Sequence, residues 1–143
     1  SLFLDGNVKK IFNNKRIVQH MNDDFAKLVN VLRDYFDLLY HGDTDIIKKI
    51  FTPEATVSSV SDGIITSINM DGFHNRITAR KSPKSIGEKR YDKIKFIDIS
   101  SPTTAMAKVE CVILNNNYTD YLSFIKVREK WLIISKVFHM NSD

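Results

Sequence analysis

The stretch from Tyr118 to His139, YTDYLSFIKVREKWLIISKVFH, limits what this chain can fold into more than any other part of it. Two runs rich in β-branched and aromatic residues flank a charged Arg128-Glu129-Lys130 turn, the composition of a β-hairpin. A three-residue loop at 127–129 or 128–130 fixes which side chains share a face, because side chains alternate along a strand. Thr119, Tyr121, Ser123 and Ile125 then lie beside Trp131, Ile133, Ser135, Val137 and His139, on the face taken as inner. Asp120, Leu122, Phe124 and Lys126 lie with Leu132, Ile134, Lys136 and Phe138 on the reverse. Neither face is plainly one for solvent. A sheet apolar on both sides needs helices over one and another cover over the other, here expected to be a second subunit.

Upstream the hydrophobic period changes from two to between three and four. Residues 1–22 read as an N-terminal extension, a short helix or an arm, with Val8, Ile11, Phe12 and Lys15 at helical spacing. Asn22 and Asp23 offer side-chain oxygens to the free N–H groups of a helix start. From there Phe25, Leu28, Val29, Leu32, Tyr35, Phe36, Leu39 and Tyr40 mark one face of a helix over 23–41, ended by Gly42. Asp43 or Thr44 opens a second, shorter helix that buries Ile46, Ile47, Ile50 and Phe51, with Pro53 as its stop. Glu54–Val60 and Ile64–Met70 read as strands around an Asp62-Gly63 turn. A third helix, capped by Asp71 and spanning about 72–81, turns Phe73 and Ile77 inward. Strands over 89–100 and 104–114 complete the sheet before the terminal hairpin.

Composition narrows the class. At 143 residues with 43% hydrophobic and 27% charged, the chain reads as one globular domain over 23–143 behind its extension. Cys111 stands alone, so no internal disulfide framework exists. No apolar run reaches the length of a membrane span, and no partnership with a membrane is expected. The net charge of +4 gathers between Arg76 and Lys95, where Arg80, Lys81, Lys84, Lys89, Arg90 and Lys93 face only Glu88 and Asp92. Without an accompanying nucleic-acid motif this stretch reads as a solvated edge, and no nucleic-acid partner is expected. A cytoplasmic protein is expected, or an exported one if a leader has been removed.

The order helix, helix, strand, strand, helix, then four antiparallel strands is that of an α+β fold with helices gathered on one sheet face. The helical hairpin DYFDLLYHGDTDIIKKIFTPEA, the Asp62-Gly63 turn and the ending TDYLSFIKVREKWLIISKVFH resemble the nuclear-transport-factor-2-like superfamily. Within it they are most similar to the putative lumazine-binding and polyketide-cyclase-like branch, over about residues 23–140. The chain departs from the family's frequent Asp-Gly turn by carrying Arg128-Glu129. The resemblance implies a strongly curved, mixed or antiparallel sheet shaped as a cone. Three helices would close its concave face around a cavity.

Candidate site residues follow from the face taken as inner. Tyr121, Ser123, Trp131 and His139 on the sheet, Cys111 on its neighbour, and Phe36, Tyr40, Phe73 and Ile77 on the helices are the expected ligand-binding set. These describe a mostly apolar pocket for a small apolar or mixed-polarity ligand. His139 and Tyr121 equally suit structural hydrogen bonding, and Cys111 suits a small buried hydrophobe better than a nucleophile. In ketosteroid isomerases and polyketide cyclases of the superfamily, an Asp or His base works beside oxyanion donors in a dry cavity. On that pattern His139, Asp98 and Tyr121 are the catalytic candidates, while Asp120 opposite Lys136 reads as a surface ion pair. His20, His41, His74 and His139 have no metal-ligand spacing, so neither metal nor cofactor is expected. Three functions stay open: a small-molecule binder, an isomerase or cyclase-type enzyme, and a homodimerising interaction module joined through the outer sheet face.

Overall fold

The structure, a computed structural model, describes residues 6–141 and the side chains from residue 13 onward. One helix, α1, runs unbroken from Gly6 to His41. The helix start expected at Asn22-Asp23 does not occur, because no glycine or proline interrupts residues 7–41 and the capping side chains have no break to act on. The side chains of Val8, Ile11 and Phe12 lie outside the described residues. Gly42, at φ +67°, ends α1 in the left-handed conformation that glycine adopts most easily. A 3₁₀ turn at Thr44–Ile46 leads into the four-residue α2, Ile47–Ile50. Pro53 lies inside strand β1, Phe51–Ser61, where the pairing register breaks between Phe51 and Thr56, a place that tolerates its missing N–H.

β1 turns through Asp62-Gly63 into β2, Ile64–Ile68. Helix α3, Met70–Ala79, is capped by Asn69, whose Oδ1 accepts the Gly72 N–H at 2.9 Å, rather than by the expected Asp71. β3 (Asp92–Ser101), β4 (Thr104–Ile113), β5 (Asn116–Val127) and β6 (Lys130–Asn141) follow as antiparallel neighbours. The six strands form one mixed sheet in the order β2-β1-β6-β5-β4-β3, with β1 parallel to β6. Leu28, Leu32 and Tyr35 of α1, Ile47 and Ile50 of α2, and Phe73 and Ile77 of α3 share one core with Ala107, Val109, Leu122, Phe124, Trp131 and Ile133 of the sheet. The expected α+β cone with helices on its concave face is therefore the architecture.

The terminal hairpin differs from its expected register in two respects. Its loop has two residues, Arg128 and Glu129, both at positive φ, and pairs Val127 with Lys130. An even loop of this kind sets Phe124 against Ile133 and Lys126 against Trp131. β6 then carries one extra residue, Ile134, so that Ser123 meets Ser135 and Leu122 meets Lys136. The inner face thus holds Trp131 and Ile133 before the bulge and Lys136 and Phe138 after it. On β5 it holds Asp120, Leu122 and Phe124. Tyr121, Ser123, Val137 and His139 face outward, the reverse of the sequence expectation.

At the turn end of the hairpin, α1 is joined to the sheet by a buried polar cluster. Asp24 Oδ1 accepts the Trp131 Nε1–H at 3.0 Å and lies 2.8 Å from Lys126 Nζ. Burial raises the Asp24 pKa, but the two hydrogen bonds and the lysine charges together outweigh it and hold the carboxyl below its ordinary value. A carboxyl depressed in the folded state stabilises above its unfolded pKa and loses that contribution as pH falls through the folded one. Asp24→Asn is expected to cost about 3 kcal/mol at neutral pH by leaving the buried Lys126 with only the more distant, exposed Glu129 carboxylate at 4.0 Å. In urea titrations the gap between variant and parent should narrow as the pH drops below the ordinary carboxyl value of 3.8.

Candidate functional site

A cavity of about 280 Å³ opens between α3, the end of α1 and the sheet. Its apolar walls are Leu39, Val57, Phe73, Ile113 and Phe138, and its polar lining includes Asp120, Lys136, Arg76, Arg80, Cys111 and Tyr118. The local sequence explains the arrangement. Alternation on β5 brings Asp120 inward, the bulge at Ile134 brings Lys136 to the same side, α3 presents Phe73 and Arg76 one turn apart, and Arg80 follows on the extended backbone that ends α3.

Asp120 is almost fully buried, and its two oxygens differ. The Tyr35 O–H donates to Oδ2 at 2.6 Å, and Lys136 Nζ stands 3.8 Å from the same oxygen. Oδ1 is buried and has no hydrogen-bond partner among the described residues. A buried acceptor left open is costly unless something else binds it, which marks a place for a ligand or a water. Lys136 Nζ also lies 5.2 Å from the ring centres of Tyr35, Phe73 and Phe138.

Charge and burial tune these groups against one another. Burial pulls the Lys136 ammonium down from its ordinary value, opposed chiefly by the Asp120 charge. Burial and then the Asp120 charge push the Tyr35 phenol well above its usual range, so it keeps its proton and acts as a donor. Burial also lowers Arg80, with Arg76 adding a like charge. Among the described residues neither Arg76 nor Arg80 has an ion-pair partner; Arg90, by contrast, reaches Asp37 at 2.9 Å and Asp92 at 2.6 Å. Two guanidinium groups and one carboxylate, with the amine of Lys136 beside them, thus line the cavity, and the excess of positive charge attracts an anionic ligand.

Of the residues expected from sequence, Phe73 and Cys111 line the cavity. Ile77 and Phe36 are buried in the adjoining core. Tyr40 instead donates to the Glu88 carbonyl oxygen at 2.7 Å, and Trp131 belongs to the Asp24 cluster. Tyr121, Ser123 and His139 are exposed on the outer face, carried there by the two-residue loop and the bulge. Asp98 is exposed too, because β3 shifts register between Ile94 and Phe96 and sets Asp98 against Met106. None of the three expected catalytic residues reaches the cavity. The Asp120–Lys136 pair expected at the surface is instead its floor. Tyr35, Arg76 and Arg80 were missed as site residues, since helical spacing marks a buried face without distinguishing core from cavity wall. Among the described residues no cluster of His, Cys, Asp and Glu is arranged to hold a metal, and no helix is long and apolar enough to cross a membrane.

A family profile described as putative lumazine-binding matches residues 23–139. The chain belongs to that family. It is 30% identical to aldolase FrzH of Cladobotryum sp. over 108 residues, which cover 73% of this chain and 82% of that protein. Among solved structures it resembles an NTF2-like protein of unknown function from Shewanella baltica OS155, with 25% identity, a TM-score of 0.76, and coverage of 85% and 96% of the two chains. A ketosteroid isomerase-like protein from Erwinia carotovora atroseptica shares the fold at 12% identity and TM-score 0.67, with coverage of 85% and 99%. Membership of the nuclear-transport-factor-2-like superfamily follows.

Cys111 tests how closed the cavity wall is. Burial, then the Asp120 charge, push its thiol up to about 12, with Lys136 and Arg80 opposing. The nucleophilic thiolate is therefore scarce at pH 8. Iodoacetamide at that pH is expected to leave Cys111 unmodified in the native protein and to alkylate it fully in denaturant, as read by intact mass.

Proposed function

We propose that the cavity binds a small carbonyl compound and moves a proton at the carbon beside its carbonyl, the chemistry of isomerases and aldol-type lyases. The observation that carries this reading is the open, buried Oδ1 of Asp120, on a carboxylate whose other oxygen is held by Tyr35 and faced by Lys136. A fixed, buried carboxylate within reach of the α-proton is a competent base. Positive groups around it stabilise the charge that develops on the carbonyl oxygen once the proton leaves. The similarity to an aldolase and the shared fold of a ketosteroid isomerase-like protein support the same class. The polar floor departs from the mostly apolar pocket expected from sequence and favours a polar carbonyl ligand over a purely apolar one.

Exchange of α-protons tests this directly. In deuterium oxide the protein should accelerate loss of the methyl proton signal of pyruvate. Asp120→Asn should lower that rate by about 10²-fold or more, the usual size of a general-base contribution. Unchanged exchange in Asp120→Asn, with folding checked by circular dichroism, sinks the assignment.

The outer sheet face, with Phe96, Tyr121 and Val137 each nearly half exposed, is the surface we assign to a homodimer. Leu122 and Phe124, expected there, belong to the core. Sedimentation velocity at micromolar concentration should give a dimer, and Val137→Glu a monomer.

A further inference from the structure

We infer that Lys136 is a catalytic residue that bonds covalently to its substrate: its Nζ attacks the carbonyl carbon of a small 2-oxo acid and forms an imine, while Arg76 and Arg80 hold the carboxylate. The inference rests on the reading of the cavity as a carbonyl site and names both the bond that site makes and the substrate class.

Two independent features of the cavity lead there. The first is the setting of Lys136. Its nitrogen projects among Tyr35, Phe73 and Phe138, with a single carboxylate 3.8 Å away. A lysine whose role was ion pairing alone would be expected to close on Asp120 at hydrogen-bond distance. Here Tyr35 takes the short contact, and the amine stands off toward the cavity. Burial, joined by the nearby arginines and opposed by the Asp120 charge, shifts Lys136 toward the neutral, nucleophilic amine, as in other desolvated lysines that form Schiff bases. The second feature is the pair of guanidinium groups of Arg76 on α3 and Arg80 just past its end, which line the same cavity and have no ion-pair partner among the described residues. Guanidinium binds carboxylate with two parallel hydrogen bonds, so an acid function matches them. A cavity of about 280 Å³ sits at the small end of ligand pockets, which suits a compact oxo acid.

The chemistry balances without a metal or redox partner. The neutral Lys136 amine forms a C–N bond, and the carbonyl π electrons move to oxygen. Asp120 Oδ1 takes a proton from the nitrogen and passes it to that oxygen, giving a neutral carbinolamine. A second proton, the one Lys136 released to water on becoming neutral, reaches the hydroxyl through water. The hydroxyl leaves as water and the nitrogen lone pair closes the protonated imine, so that ketone and lysine ammonium give protonated imine and water. The protonated imine is a stronger electron sink than the ketone. Asp120, once again ionised, can take the α-proton to form an enamine.

Trapping decides the matter. The full chain is incubated with pyruvate and sodium cyanoborohydride, which delivers hydride to an imine carbon and leaves a secondary amine. Peptide mapping should find the carboxyethyl group on Lys136 ahead of every surface lysine, and Lys136→Arg should lack that adduct. With 2-butanone as the neutral comparison, Arg80→Met should lower the pyruvate-to-butanone labelling ratio at Lys136 roughly tenfold, the loss expected for one charge-assisted contact. Absence of an adduct on Lys136 in the parent protein, or labelling no faster there than at exposed lysines, overturns the covalent role. If α-proton exchange still depends on Asp120 in that case, the carbonyl site stands and only the imine is wrong. If exchange is also absent, both readings fall. A ratio unmoved by Arg80→Met overturns the carboxylate assignment.

Discussion

One additional residue in one strand governs the interior of this molecule. β6 must pair with β5 on one edge and with β1 on the other, and its bulge at Ile134 lets it change phase between its two halves. Before the bulge the strand delivers Trp131 and Ile133 to the hydrophobic core. After it, the strand delivers Lys136 and Phe138 to the cavity. A regular strand would continue the first phase and turn Ser135 and Val137 inward, leaving the lysine wet and the carboxylate of Asp120 without a cation. The chemistry of the site depends on that local irregularity more than on any single contact.

Helix α1 reads both halves of the strand. Asp24 and Tyr35 are eleven positions apart, close to three full turns, so they project from one side of the helix about 16 Å apart. Asp24 engages Trp131 and Lys126 near the hairpin turn, whereas Tyr35 engages Asp120 beside the cavity. The polar groups at both points are buried, so each tie must be well made to offset desolvation. At the first, both Asp24 contacts land on Oδ1, and Asp24 and Lys126 also border a separate cavity beside Ile17 and Met21. At the second, one carboxylate oxygen is engaged and the other is open. The same helix thus carries two polar junctions, and the one at Asp120 leaves a buried oxygen open toward its cavity.

The order of elements, the helical faces and the two-sided apolar character of the sheet were legible in the sequence because they rest on periodicity, which burial enforces. Leu28, Leu32, Tyr35, Phe73 and Ile77 could be placed inside from spacing alone. The faces of β5 and β6 were not legible. They depend on whether the Arg128-Glu129 loop counts two residues or three, and neither residue advertises the positive φ it adopts as glycine or asparagine would. The Ile134 bulge leaves no compositional mark at all, since isoleucine suits a regular strand equally well. His139 and Tyr121 were therefore assigned to the wrong side, and Asp120 and Lys136 went with them. Their pairing was foreseeable from opposite charges near one another across the hairpin; its enclosure was not. The family resemblance pointed to a cavity, but it could not say which face of this hairpin lined it.

β6 is the last strand in chain order yet stands near the middle of the sheet, between β1 and β5. Among the described residues, the β1–β2 hairpin joins the other strands only through it. During synthesis, then, two blocks of sheet wait with open edges until the final strand leaves the ribosome and zips between them. Pairing β1 with β6 closes a loop of some eighty residues, a long-range contact of the kind that slows folding. The chain must stay protected from edge-to-edge association throughout that interval. The strand that completes the fold also brings in Lys136, so a chain that has not finished folding has no site to misuse.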